Sequence, residues 1–217
     1  MFDAAAARRM MVDGQVRTAD VTDAALLTAM LTVPRERFLP APLAELAYVD
    51  GDVSLSRGRA LLKPMVLAKL IQAANLRSGE HVLDVGCGTG YSAAVLAHLA
   101  GSVIALEEDA DFARQAKEAL SAVGAANAQV VVGPLTGGWS AGAPYDAIFL
   151  EGAAEIVPEG FGRQLKPDGR LLGVCGRGPA TKATIYHVIE GQLVGRPIFD
   201  AAAPLLPGFK APPAFVF

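Results

Sequence analysis

Residues 82–90 read Val-Leu-Asp-Val-Gly-Cys-Gly-Thr-Gly, an apolar run that ends in an acid and then sets glycines at alternate positions, Gly86, Gly88 and Gly90. A helix-like segment from Tyr91 to Ala100 follows. This pattern predicts a strand entering a tight turn at a helix N-terminus, where only glycine tolerates positive φ without strain and lets a ligand come close to the backbone. A second acid, Glu107, closes the next apolar run, Val103 to Leu106. An acid at the end of the second strand, about 20 residues past a glycine turn, is placed to hold ribose hydroxyls. The chemistry so indicated is the binding of an adenosine-containing cofactor.

The sixth position of the turn narrows the choice. A dinucleotide fingerprint needs Gly or Ala there, so that the helix packs closely while receiving a pyrophosphate. Here it is Tyr91, too bulky for that role. Glycines at alternate positions behind an acid resemble instead the first motif of Rossmann-like S-adenosylmethionine methyltransferases. In that reading Asp84 balances the cationic amino-acid end of the ligand, Cys87 lies within the turn, and Tyr91 forms a wall of the site.

The elements that must position these residues can be read on either side. Thr22 is placed to cap a helix with Leu26, Leu27 and Met30 on its apolar face, ending before Val33-Pro34. Prolines 34, 40 and 42 punctuate the next stretch, and Pro64 starts a helix with Val66, Leu67, Leu70, Ile71 and Ala74 on one face. From His81 onward strand and helix patterns alternate, with strands expected at 81–85, 103–106, 129–132, 145–150, 170–174, 184–189 and 213–217. Phe112, Ala116, Leu120 and Val123 mark an intervening amphipathic helix that Gly124 stops. Such alternation predicts an α/β, Rossmann-like, doubly wound sheet of seven strands, mainly parallel, with helices on both faces. The last two strands are expected to end antiparallel, joined through Gly195-Arg196-Pro197 and Leu206-Pro207-Gly208. Residues 1–64 form an N-terminal helical cap and acceptor loop packed on the main domain, and 65–217 form that domain.

Composition limits the function classes. The chain has 217 residues, 52% of them apolar, and a formal charge of −3. That length suits one α/β domain with a decoration. The charge leaves no footprint for nucleic acid, and no apolar run is long enough for a membrane span. The N-terminus has no apolar stretch of a secretory signal. The two cysteines, Cys87 and Cys175, lack metal-ligand spacing. A cytoplasmic protein is expected, with no metal.

Several longer stretches carry a family resemblance. MVDGQVR (11–17), VPRERFLP (33–40), AYVD (47–50), VLDVGCGTGYSAAVLAHLAG (82–101), GPLTGGW (133–139), APYDAIFLEGAA (143–154) and QLKPDGRLLGVCG (164–176) keep the order and spacing of protein-L-isoaspartate O-methyltransferases. The resemblance implies a seven-stranded methyltransferase sheet and S-adenosylmethionine as donor. It also implies methyl transfer to a carboxylate of damaged protein or peptide, and adds Gly133 and Leu135, after the third strand, to the cofactor site. Two places depart from the family pattern. The family's Gly-Gln-Thr-Ile-Ser-Gln-Pro segment becomes Gly58-Arg59-Ala60-Leu61-Leu62-Lys63-Pro64, so the serine associated with catalysis is Leu62. The family's Gly-Asp-Gly turn becomes Gly133-Pro134-Leu135.

A carboxylate acceptor is already ionised at neutral pH and needs alignment and desolvation more than a base. Leu62 supplies no hydroxyl, and such a loss costs on the order of 10²–10³ in rate. Arg57, Arg59 and Lys63 are the residues that could hold an anionic acceptor in its place. Glu151, ending the fourth strand of the alternating run, is a candidate base for a hydroxyl, amine or phenol. His81, His98 and His187 have no catalytic partner in the pattern, and Trp139 reads as packing. The alternatives to isoaspartyl transfer are a different acceptor, either a small metabolite or another protein group, or an S-adenosylmethionine-binding interaction protein with impaired catalysis.

Overall fold

The structure is a computed structural model that describes residues 2–178 and 180–212. The N-terminal part holds α1 (Ala4–Met11) and α2 (Ala24–Thr32), followed by 3-10 turns and a small antiparallel hairpin of β1 (Val53–Ser54) and β2 (Ala60–Leu61). After α3 (Pro64–Ala74) come β3 (His81–Val85), α4 (Tyr91–Ala97), β4 (Ser102–Glu107), α5 (Ala110–Ala122), β5 (Ala128–Val132), β6 (Tyr145–Ala154), β7 (Leu165–Cys175), β8 (Lys182–Ile189) and β9 (Gln192–Asp200).

The last seven strands form one sheet in the order β5-β4-β3-β6-β7-β8-β9. The first five are mutually parallel, and β8 and β9 run antiparallel to their neighbours. Chain order reverses between β3 and β6, and the crevice at the C-terminal ends of strands beside such a switch point is where open α/β sheets take ligands.

Alternation along the strands sorts the core. Val82, Val103, Ala105, Ala147 and Phe149 face the α-helices, whose Leu26, Met30, Val66, Leu70, Val95 and Ala116 complete that layer. Leu83, Val85, Ile104, Leu106, Ile148 and Leu150 face the other way, onto Leu135, Phe161, Leu206 and Phe209. The crossovers after β5 and β6 thus cover the second face with short 3-10 segments, Leu135–Gly137 and Glu159–Gln164, rather than long helices.

Some boundaries differ from the sequence reading. Asp23, not Thr22, caps α2, its carboxylate accepting the Leu26 amide at 3.0 Å. The seventh strand is β9; the segment 213–217 lies outside the described residues. Gly195, Arg196 and Pro197 belong to β9 itself, since it is the sheet edge, where a proline costs no ladder hydrogen bond. Leu206 and Phe209 are buried, and the segment that carries them pairs with the end of β6, Leu206 donating its amide to the Ala153 carbonyl at 2.8 Å. Among the described residues no helix is long and apolar enough to cross a membrane.

Arg35 joins the N-terminal cap to the domain. It is fully buried, donates from Nε to the Ala47 carbonyl at 2.7 Å and from Nη2 to the Leu62 carbonyl at 2.8 Å, and lies 4.5 Å over the Tyr91 ring. Burial lowers its pKa, and the Tyr91 contact opposes that. Arg35→Met should leave two buried carbonyls without donors and lower stability by about 3 kcal/mol. Urea unfolding checks this, with a lower midpoint and an unchanged slope.

Candidate active site

Asp84 and Glu107 stand at the C-terminal ends of β3 and β4, and Glu151 stands in the C-terminal half of β6, all buried. Each is an even step from a residue facing the helices (Val82, Ala105 and Phe149), so all three carboxyls point to that face of the sheet. Three acids therefore meet at one edge of the crevice.

Glu107 closes the glycine turn. Its Oε2 accepts the Gly88 amide at 2.8 Å and its Oε1 accepts the amides of Glu108 and Asp109 at 3.0 and 3.2 Å. The turn is tied to β4 again where Gly86 and Cys87 donate their amides to the Leu106 carbonyl. Gly86, Gly88 and Gly90 all have positive φ (79°, 55° and 95°), as their spacing requires.

Asp84 accepts the Ser92 hydroxyl on Oδ2 at 2.7 Å. Its Oδ1 and Glu151 Oε1 have no hydrogen-bond donor among the described residues. The two carboxyls lie close enough to influence one another, and a proton held by the pair relieves their like charge. Burial is the main cause that pushes Asp84 up to about 7, with Ser92 opposing it. Burial, then the neighbouring Asp84, raises Glu151 well above the usual carboxylate range. Burial and the same acids keep the Cys87 thiol protonated.

The counter-ion comes from the hairpin. Arg59, 5% exposed, donates from Nη2 to Glu107 Oε2 at 2.6 Å. A Cβ on Gly86 would lie 2.8 Å from Arg59 Nη2 and 3.0 Å from Leu206 Cδ2. Arg59 and Leu206 therefore sit against the turn, where glycine leaves room.

Other residues read from sequence fall elsewhere. Tyr91 is buried under Arg35 and packs edge-on against Phe38 at 5.6 Å, facing the cap rather than lining the crevice. Leu62 turns its side chain into the core. Lys63 pairs with Asp50 at 3.1 Å at the surface. Arg57 is exposed and pairs with Asp109 and Asp111. Gly133 packs under Trp139, and Leu135 lies in the second core layer. His81 bonds Ser102 Oγ and the Gly142 carbonyl, a structural role. Sequence reading missed Arg35, although it stands in the VPRERFLP stretch that carried the resemblance.

The orphaned acceptors and the excess of buried carboxyls suit a ligand bearing positive charge. The sheet order and the glycine turn after its central strand define a Rossmann-like fold of the methyltransferase type. The description "Protein-L-isoaspartate(D-aspartate) O-methyltransferase (PCMT)" matches residues 7–189. The chain belongs to this family. It is 44% identical over 172 residues to the protein-L-isoaspartate O-methyltransferase of Methylorubrum populi, covering 79% of this chain and 80% of that one. With protein-L-isoaspartate O-methyltransferase 1 of Rhodopseudomonas palustris it shares 42% identity over 168 residues, 77% of this chain and 69% of the relative. A solved protein-L-isoaspartate O-methyltransferase superposes with a TM-score of 0.80 at 27% identity, over 93% of this chain. The present chain spans 66% of that one's length. A structure from Plasmodium falciparum, described as a putative protein-L-isoaspartate O-methyltransferase in complex with S-adenosyl-L-homocysteine, shares the fold at TM-score 0.78 and 20% identity, over 95% of this chain and 99% of that one.

The shared proton makes stability depend on pH in a defined direction. Because Asp84 is raised, the folded protein holds more protons than the unfolded chain between the usual carboxylate range and about pH 7. This contribution is complete at low pH and is lost as pH rises toward 7. Glu151→Gln, whose amide donates to Asp84 Oδ1, should flatten that decline. Urea unfolding at pH 5 and pH 8 measures it, and equal pH dependence in both proteins would remove the shared proton.

Proposed function

We propose that this chain is an S-adenosylmethionine-dependent methyltransferase acting on a carboxylate of damaged protein or peptide, the isoaspartyl side chain being the expected acceptor. The observation that supports it is the gathering of Asp84, the Gly86–Gly90 turn and Glu107 at the crevice between β3 and β6, in a chain of this family. In this reading Glu107 holds the ribose hydroxyls, the turn receives the ligand against its backbone, and Asp84 balances the cationic amino-acid end. The cofactor supplies an electrophilic methyl group on a sulfonium.

For a carboxylate acceptor no residue has to remove a proton, since the acceptor is already ionised. What the chain must supply is position and exclusion of water. Leu62 is in the core and offers no hydroxyl, so alignment has to come from the crevice wall. A second reading is favoured by Glu151. A buried carboxylate at this edge, when ionised, is placed to accept a proton from a hydroxyl, amine or phenol, which would make the acceptor a metabolite or a different protein group.

Methyl transfer to an isoaspartyl peptide and to its normal aspartyl twin, alongside calorimetric titration with S-adenosylmethionine, tests the first reading. Binding with transfer to the isoaspartyl peptide alone is expected. Glu151→Gln should change carboxylate methylation by no more than a few-fold. If the acceptor must lose a proton, the same variant should cost about 10²–10⁴ in kcat.

A further inference from the structure

The carboxylate that should hold the ribose is fully engaged in this structure. Glu107 receives four donors: the amides of Gly88, Glu108 and Asp109 and the guanidinium of Arg59. A carboxylate offers about four lone-pair sites. While Arg59 is in place, Glu107 has no acceptor capacity for hydroxyl groups. The guanidinium also takes the space against Gly86 that the turn's lack of side chains provides.

Resting on the S-adenosylmethionine reading of the site, we propose that Arg59 is an intramolecular competitor for the cofactor, and that the hairpin of β1 and β2 must release it before the ligand can reach Glu107.

The charge balance agrees. Asp84, Glu107 and Glu151 are three buried carboxyls on three adjacent strands. Buried charge of that kind is tolerated only with a counter-ion. Arg59 is that counter-ion here, and the sulfonium donor brings a positive charge of its own. Exchange of one cation for the other keeps the edge compensated.

Val53 and Leu61 anchor the hairpin in the core and Arg35 holds the Leu62 carbonyl at its end, so the part able to move at modest cost is its tip, residues 55–59. The hairpin's ladder has two residue pairs, Val53 with Leu61 and Ser54 with Ala60, and a ladder so short adds little stability. Its turn puts Arg57 at φ 52° beside Gly58 at φ 73°. Both central residues have positive φ, as a type I′ turn requires, and for a non-glycine residue that is unfavourable by about 1 kcal/mol. Besides Arg59, an exposed clasp holds the turn: Arg57 on Asp109 and Asp111 at the start of α5. Exposed pairs of this type contribute little to stability.

Closure reduces the apparent affinity by the fraction of molecules that are open. Arg59→Ala should therefore bind both S-adenosylmethionine and S-adenosylhomocysteine more tightly than the unaltered chain, by about tenfold or more in calorimetric Kd. Arg57→Ala, which touches only the exposed clasp, should tighten both to a smaller extent. Trypsin gives a third readout. S-adenosylmethionine should speed cleavage of the unaltered protein after Arg59, where an ordinary ligand would protect. Equal or weaker binding by Arg59→Ala, with the unaltered chain binding, would make Arg59 a ligand contact or a bystander and would leave the donor reading intact. Should Arg59→Ala not fold, unchanged or weaker binding by Arg57→Ala would overturn the proposal by itself. If neither the unaltered chain nor the folded variants bind either ligand, the donor reading falls together with this inference.

Discussion

Three carboxyl groups buried side by side on β3, β4 and β6 set the terms for the rest of the structure. In a low-dielectric edge they cannot all ionise without compensation. The chain meets this in two ways: burial raises the pKa of Asp84 and Glu151, which favours their protonated forms, and one guanidinium, from Arg59, lies on Glu107. Each solution recruits a distant part of the chain. The acid of β6 is brought beside that of β3 by the reversal of strand order, and the arginine comes from a hairpin 48 residues before its partner.

The N-terminal cap then has a purpose beyond covering apolar surface. Arg35 fixes both Ala47 and Leu62, the residues that flank the hairpin, by hydrogen bonds from one planar side chain. Thr89, within the glycine turn, donates its hydroxyl to the Phe38 carbonyl at 2.6 Å. The cap, the hairpin and the turn are thereby placed in a common frame. The segment after β9 closes the frame from the opposite side, because Gly152 lets Leu206 come within 2.7 Å of where its Cβ would be. The crevice is thus bounded by the N-terminal cap and by the segment after β9.

Local signals were legible in the sequence, and long-range ones were not. The turn at Gly86–Gly90, Asp84 and Glu107 could be read because alternate glycines and strand-end acids have local physical reasons. The helix face of α3 and the stop at Gly124 could be read from period and φ preference. Strand β9 was hidden because Gly195 and Pro197 look like a loop, and only its place at the edge explains how they fit a ladder. Tyr91 was misplaced because its direction depends on Arg35, and a buried arginine has no signature in a charge pattern. Arg59 was read as a loop cation able to meet an acceptor; that its partner is Glu107 is a fact about tertiary contact.

Strand β6 carries a further consequence. Between Phe149 and Ala153 it advances four residues while β7 advances two, from Leu172 to Val174. The surplus is an even number, so the alternation of faces survives the bulge, and Glu151 stays on the side of Asp84 and Glu107. Length can change in this stretch only by twos without turning the acid away from its partners. A single-residue insertion or deletion would move Glu151 into the opposite core layer and leave Asp84 without the group that shares its proton. Among descendants of such a chain, drift in the length of this strand is therefore restricted by parity, and a lone indel there would change the chemistry of the crevice while leaving the glycine turn as it is.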